Sequence, residues 1–304
     1  MKYFKPLILF IFAIVLLLYS GIFLQLTLIN GLLQILLFLL VVNIPAWITK
    51  RMSYVDIAWP LGLVLIGVLV FIFGEGAFSK RIMGGVLFAF MGLRMGLMAV
   101  YYWSKGFLNK ELPRYEYQRH RWMKEGKTNT DLAMQVEISV QALANISFLA
   151  MPALLIAWNP ETAFHWLEIL GIIIWVLSFC LETIADKQKN AFITKSRSEG
   201  NKKAVCNVGL WKYSRHPNYF FEWMVWNALI IIALPSWFGL FNSEPIYISL
   251  FYLFAVLMAS KMMYTTLVHY TGAKPAEYYS VQKRPEYKAY QQTTSIFFPR
   301  KPKE

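Results

Sequence analysis

Apolar residues in this chain fall into runs of about twenty, each ending in charged or aromatic residues. Runs of that length cross a hydrocarbon core of about 30 Å at 1.5 Å rise per residue. Eight segments stand out: 6–28, 31–49, 56–74, 82–103, 138–158, 163–184, 219–241 and 246–268. The first run follows Lys2 and Lys5 but is longer than a signal-peptide core and ends in no small-residue cleavage site, so it is expected to remain as a span. Asn30-Gly31 separates the first two runs so tightly that they are expected to form a helical hairpin. The expected fold is an all-α, polytopic integral membrane bundle, with a transmembrane hairpin over 1–49 and one membrane domain over 50–304.

Composition agrees. Hydrophobic residues make up 57% of 304 residues and charged residues 15%, with mean hydropathy +0.44; a soluble domain carries closer to about a quarter charged residues. Trp47, Trp59, Trp103, Trp158, Trp166 and Trp237 stand near run ends, as interfacial belts require. Cys180 lies in an apolar run and Cys206 in a basic loop, which is neither a disulfide framework nor a CxxC site. The four His show no paired-ligand spacing, so no metal is expected.

Charge then orients the chain. Of the 30 Lys and Arg, 26 fall on the termini and alternate connections, whereas only Lys80 and Arg81 fall on the other face. Basic loops stay inside, so both termini are expected in the cytoplasm and the span number even. The net charge of +13 is accounted for mostly by topology. It calls for membrane lipids as neighbours and no nucleic acid. Loops 104–137 and 185–218 are longer and richer in Arg, Tyr and His than topology requires.

Several charges sit within or at the ends of spans, where they cost several kcal/mol unless paired or hydrated. Asp56 and Arg94 form either an ion pair inside the bundle or part of a pocket. Glu182 and Asp186, spaced i, i+4, share a face at a helix C-terminus, where acids oppose the macrodipole. Either a neighbouring Lys or Arg compensates them, or the hydroxyls of a ligand do.

The most informative segment is NVGLWKYSRHPNYFFEWMVW, residues 207–226. Pro217 opens a long apolar helix, so Arg215, His216 and Asn218 crowd its N-terminus, where free N–H groups attract anions. Glu222, at i+4 from Asn218, faces the same way. The cluster is either an anion site with an acid beside it or a set of side chains reaching for headgroups; a ligand site is the favoured reading. In KRPEYKAYQQTTSIFFPRK, residues 283–301, Tyr287 and Tyr290 either stack on a base or pack.

Three ordered motifs resemble the steroid 5-alpha-reductase superfamily: ETIADKQKNAF (182–192), the 207–226 segment, and RPEYKAYQQTTSIFFP (284–299). DIAWPLG (56–62), Leu93-Arg94 and ELPRYEYQR (111–119) are similar to that superfamily's bacterial branch of uncharacterised multi-span proteins. The resemblance implies NADPH at the cytoplasmic face and hydride transfer to the carbon–carbon double bond of a lipid-like or steroid-like enone. It implies Asn218, Tyr219, Glu222 and Asp186 as cofactor contacts, with Tyr287 and Tyr290 closing over the nucleotide. Two positions depart from its pattern: Phe221 stands where those reductases have Gly, and Met91 where they have Tyr. Lys195 and Arg197 are the expected 2′-phosphate pair. Asp56, Arg94 and Tyr102 are the expected catalytic residues, with Tyr101 and Tyr264 as other proton donors. Two alternatives remain. One is an S-adenosylmethionine-dependent lipid or isoprenylcysteine methyltransferase, whose Arg-His-Pro-x-Tyr segment this chain shares but whose Glu-Glu pair it lacks. The other is a non-catalytic protein that binds anionic lipid.

Overall fold

The computed structural model describes residues 2–303, and every regular element among them is helical. Helix α1 spans Lys5–Ser20. Helix α2 (Leu24–Phe38) runs through a wide turn at Leu39–Asn43 into α3 (Ile44–Thr49). Then follow α4 (Val55–Phe73), α5 (Phe78–Ser104), α6 (Pro113–Lys124), α7 (Thr130–Ile146), α8 (Met151–Trp158) and α9 (Trp166–Ser198). The chain ends with α10 (Pro217–Leu240), α11 (Ile246–Thr265), α12 (Ala273–Lys283) and α13 (Tyr287–Thr293). Seven segments are long and apolar enough to cross a membrane: Leu24–Thr49, Val55–Phe73, Phe78–Ser104, Thr130–Trp158, Trp166–Ser198, Pro217–Leu240 and Ile246–Lys283. Lys5–Ser20 is a shorter apolar helix. The chain is therefore a polytopic helical membrane protein.

The expected first hairpin is placed differently. The break lies at residues 21–23, where Gly21 takes a φ of +80° that L side chains rarely adopt. Asn30 and Gly31 stand inside α2. The side chain of Asn30 is satisfied there, because its amide donates to the Asn145 carbonyl oxygen at 3.1 Å and accepts from Gln34 at 3.2 Å. The same Gln34 amide donates to the Gly62 carbonyl at 2.8 Å, and Asn145 donates to Gln34 at 3.3 Å. Polar side chains thus tie α2, α4 and α7 together where water cannot, a recurring device between membrane helices. A Cβ on Gly62 would come within 2.4 Å of the Asn145 amide, so the seam requires glycine there.

Two compact units divide the chain, Met1–Ile169 with Ile230–Ala259, and Leu170–Leu229 with Ser260–Glu304. In the first, Phe38, Val42, Val55, Trp122, Met134 and Ile138 build a buried cluster around α2, α4, α6 and α7. The expected span 138–158 is broken at Ser147–Ala150 into α7 and α8, with Pro152 in the first turn of α8, where its missing N–H costs nothing. In the second unit, α9 leads through the 206–216 turn into α10, and the chain after α11 packs back on that turn.

Candidate functional site

Pro217 starts α10, so the preceding Ser214-Arg215-His216 is non-helical and its polar groups need partners. The C-terminal segment supplies them. The Arg215 backbone N–H donates to the Ser295 carbonyl at 2.8 Å, and the Ser214 hydroxyl donates to the Phe297 carbonyl at 2.8 Å. The Arg215 guanidinium grips both carboxylate oxygens of Glu277, Nε to Oε1 at 2.7 Å and Nη2 to Oε2 at 3.1 Å. Nη1 donates to the carbonyls of Gln291, at 3.1 Å, and Thr294. With 8% of its surface exposed, Arg215 has four of its five N–H groups committed to protein acceptors. This places its fork on Glu277 rather than at a ligand or headgroup.

His216 is buried, 3.2 Å from Glu277 through Nε2, and its ring stacks on Tyr219 with centroids 5.4 Å apart. Burial holds its pKa below the ordinary imidazole value, and the positive charge of Arg215 acts the same way. Burial outweighs the opposing pull of the Glu277 carboxylate, so the neutral ring is favoured, with Nε2 on Glu277 and its face on Tyr219.

Tyr287 and Tyr290 are buried and pack edge to face at 5.6 Å. The Tyr290 hydroxyl donates to the carbonyl of Trp211, and burial pushes the pKa of both phenols well up. The Tyr290 hydroxyl thereby ties α13 to the 211–214 turn. Cys206 is buried beneath the same turn with its thiol pKa raised by burial, which leaves it unreactive.

One pairing joins two expected cofactor residues from different helices. Asn218, in the first turn of α10, donates its amide to Asp186 of α9 at 3.0 Å. The Asn218 side-chain oxygen is buried and accepts no hydrogen bond. Such an acceptor costs about 1–3 kcal/mol until a donor reaches it. Tyr219 and Glu222 follow on α10, both half-buried.

The expected phosphate pair is split. At 100° per residue along the unbroken α9, Arg197 falls roughly 20° from Asp186 and Lys195 roughly 180°. Both are exposed, but they leave opposite sides of one helix and cannot close on a single phosphate. Lys195 instead lines a cleft of about 510 Å³ with Gln188, Phe192, Glu199 and Val208.

Asp56, Arg94 and Tyr102 lie in the other unit, whereas Tyr264 belongs to the unit that holds Asp186 and Asn218. Asp56, in the first turn of α4, forms an ion pair with Arg114 of α6 and accepts from the Tyr115 hydroxyl at 2.5 Å. Its partner Arg114 belongs to the ELPRYEYQR segment, and its guanidinium is engaged by Asp56. Burial and the Asp56 charge keep the Tyr115 phenol protonated. Arg94 is half-buried on α5. Tyr102, at the end of α5, is 43% exposed beside Tyr101 and Phe107. Tyr264 of α11 packs on Trp223 at 5.9 Å and Phe297 at 5.3 Å.

Glu277 is the important residue that sequence reasoning missed. Its signal is faint but present: it is one of only three acids after Glu244, in a segment dense with Lys and Arg. No group of three or more His, Cys, Asp or Glu among the described residues is placed to hold a metal ion.

A polytopic helical bundle with a buried polar clasp on one inter-helix turn defines the class. The chain belongs to the family described as "Protein of unknown function (DUF1295)", which matches residues 42–294. An uncharacterised protein of Schizosaccharomyces pombe is 24% identical over 286 residues, covering 85% of this chain and 75% of that protein. No solved structure matches.

Proposed function

We propose that the chain is a membrane-embedded reductase that holds NADPH at Asp186 and Asn218 and reduces a carbon–carbon double bond in a hydrophobic, lipid-like enone. The observation that carries this reading is the Asn218–Asp186 hydrogen bond, with the Asn218 oxygen buried beside it and lacking a donor. A carboxylate and an unpaired amide oxygen suit a ligand rich in donors, as the ribose hydroxyls and carboxamide of a nicotinamide cofactor are. Both residues belong to the motifs that resemble the steroid 5-alpha-reductases.

Each residue has a role in this reading. Asp186 accepts from a ribose hydroxyl, and Asn218 accepts the second donor. Tyr219, held flat on neutral His216, offers a ring face. Arg197, on the Asp186 side of α9 and about 16 Å along its axis, supplies charge for phosphate in place of Arg215. NADPH held there would supply the hydride for one carbon of the double bond, and a tyrosine of this chain would donate the proton to the other. Tyr264 is the favoured donor because it packs on Trp223, one turn beyond Tyr219.

The test is calorimetric titration of the detergent-purified chain with NADPH, NADH and S-adenosylmethionine. NADPH is expected to bind, and Asp186→Ala to weaken it about 10–150-fold, as loss of a hydrogen bond to a charged group implies. Binding of S-adenosylmethionine without either nicotinamide cofactor refutes the proposal in favour of a methyltransferase. Binding of none of the three refutes both.

A further inference from the structure

The cleft on the far side of α9 has no part in the site just described. Gln188, Ala191, Phe192, Lys195, Ser196 and Glu199 line it at the spacing of one helix face, and most of that face points away from Asp186. Val208 and Gly209 make the other wall.

That wall is held by specific contacts. Gly209 takes a φ of +52°, and a Cβ there would come within 2.5 Å of the Gln188 amide. Gln188 accepts from the Leu210 backbone N–H at 2.9 Å, fixing the turn against the helix. The resulting volume of about 510 Å³ lies within the range of small-molecule sites.

Its lining describes its ligand. Phe192, Ala191 and Val208 offer an apolar floor with one aromatic ring. The Gln188 amide and Ser196 hydroxyl can meet the heteroatoms of a ring, and Glu199 can accept from sugar hydroxyls. Lys195, 76% exposed and only 3.9 Å from Glu199, is the single cation, enough for one phosphate and too little for a polyphosphate. The apolar run of this span ends near residue 184, a turn before the cleft begins. The ligand therefore arrives from water rather than from the acyl region. We infer that this cleft binds a nucleoside monophosphate at a site separate from Asp186 and Asn218. The inference does not depend on the reductase reading.

Adenosine 5′-phosphate is the probe, titrated onto the full chain in detergent with and without saturating NADPH. One-to-one binding that persists with NADPH present is expected. Phe192→Ala should weaken it at least about fivefold, the low end of base stacking on an aromatic side chain. Lys195→Ala, on an exposed side chain that leaves the fold intact, should weaken it about threefold at low salt and less at high salt. Unphosphorylated adenosine should not respond to Lys195→Ala. Absence of binding, or unchanged affinity in Lys195→Ala at low salt, overturns the inference. Displacement by NADPH also overturns it, because the cleft is then one half of a dinucleotide site. Binding of the monophosphate with no NADPH binding leaves the inference standing and removes the reductase reading.

Discussion

Arg215 and Glu277, 62 residues apart, meet through two hydrogen bonds of 2.7 and 3.1 Å with less than a tenth of either side chain exposed. The pair fastens α12 to the turn that starts α10, and the remaining Arg215 donors fasten the end of α13. Removing one partner leaves the other charge buried and alone, at a cost of about 3–5 kcal/mol.

Glu277→Ala and Arg215→Ala are therefore expected to act alike, as folding defects. Both should raise proteolysis of the segment after residue 270 and lower the midpoint of thermal unfolding. Arg215→Lys should recover little, because an ammonium cannot match two carboxylate oxygens at once. A normally stable Arg215→Ala protein would show that the clasp is not what holds this segment.

His216 gives the clasp a pH dependence of definite sign. Its pKa is lowered in the folded chain, so below about 6.5 the unfolded chain takes up a proton that the folded one refuses. The stability this position contributes is complete above that pH and is lost as pH falls through the window beneath it. Thermal unfolding at pH 7.5 and 5 should show a drop, and His216→Gln, which keeps a donor for Glu277, should show a smaller one. Equal drops in both proteins would show that the pH dependence does not arise at this position.

The spans were legible because each is a run of about twenty apolar residues, a signal that needs no partner to be read. Where the reading slipped, a residue answers to something distant in sequence. Asn30-Gly31 has the chemistry of a turn, yet Asn30 is satisfied by Asn145 across the bundle and the chain turns at Gly21 instead. Arg215 has the chemistry of an anion site at a helix N-terminus, and its place there was read correctly. Its partner is Glu277, which no local pattern could supply. Asp186 and Asn218 stand in separate motifs 32 residues apart, and the hydrogen bond between them is visible only in the fold. Lys195 and Arg197 look paired in the sequence because they are two apart, which on a helix means opposite sides.

Lys80 and Glu168 form a second ion pair that is fully buried. Lys80 also donates to the Ala163 carbonyl at 2.9 Å and lies 4.6 Å from the centroid of the Phe164 ring, while Glu168 accepts from the His165 N–H at 2.8 Å. The pair pins the 159–168 connection to the start of α5, so one of the two basic residues expected merely to mark the far face has a structural task. Lys80→Ala should destabilise by about 3–5 kcal/mol. Lys80→Met with Glu168→Leu together should recover much of that loss, since an apolar pair of similar volume avoids the desolvation cost. Equal instability in the single and double variants would mean that the hydrogen bonds to the connection, rather than the uncompensated charge, dominate.

The split of Lys195 and Arg197 around α9 separates two ligands by one pair of substitutions. NADPH differs from NADH by a 2′-phosphate, and in the proposed site the cation for it must come from the side of α9 that carries Asp186. Arg197 lies on that side and can offer two parallel N–H groups to phosphate oxygens, whereas Lys195 lies roughly opposite. Arg197→Ala should therefore weaken NADPH about tenfold, the lower end for a charge-assisted hydrogen bond at an exposed position. NADH should change by much less, and the difference between the two cofactors should shrink as salt is added, because exposed charges are screened. Lys195→Ala should leave both nicotinamide cofactors unchanged while weakening adenosine 5′-phosphate in the cleft. Titrations of the wild type and both single variants, with all three ligands at two salt concentrations, decide the matter. Equal losses of NADPH in the two variants would mean that one phosphate reaches both residues, which a straight α9 forbids, and would place the 2′-phosphate beyond the helix end near Ser198.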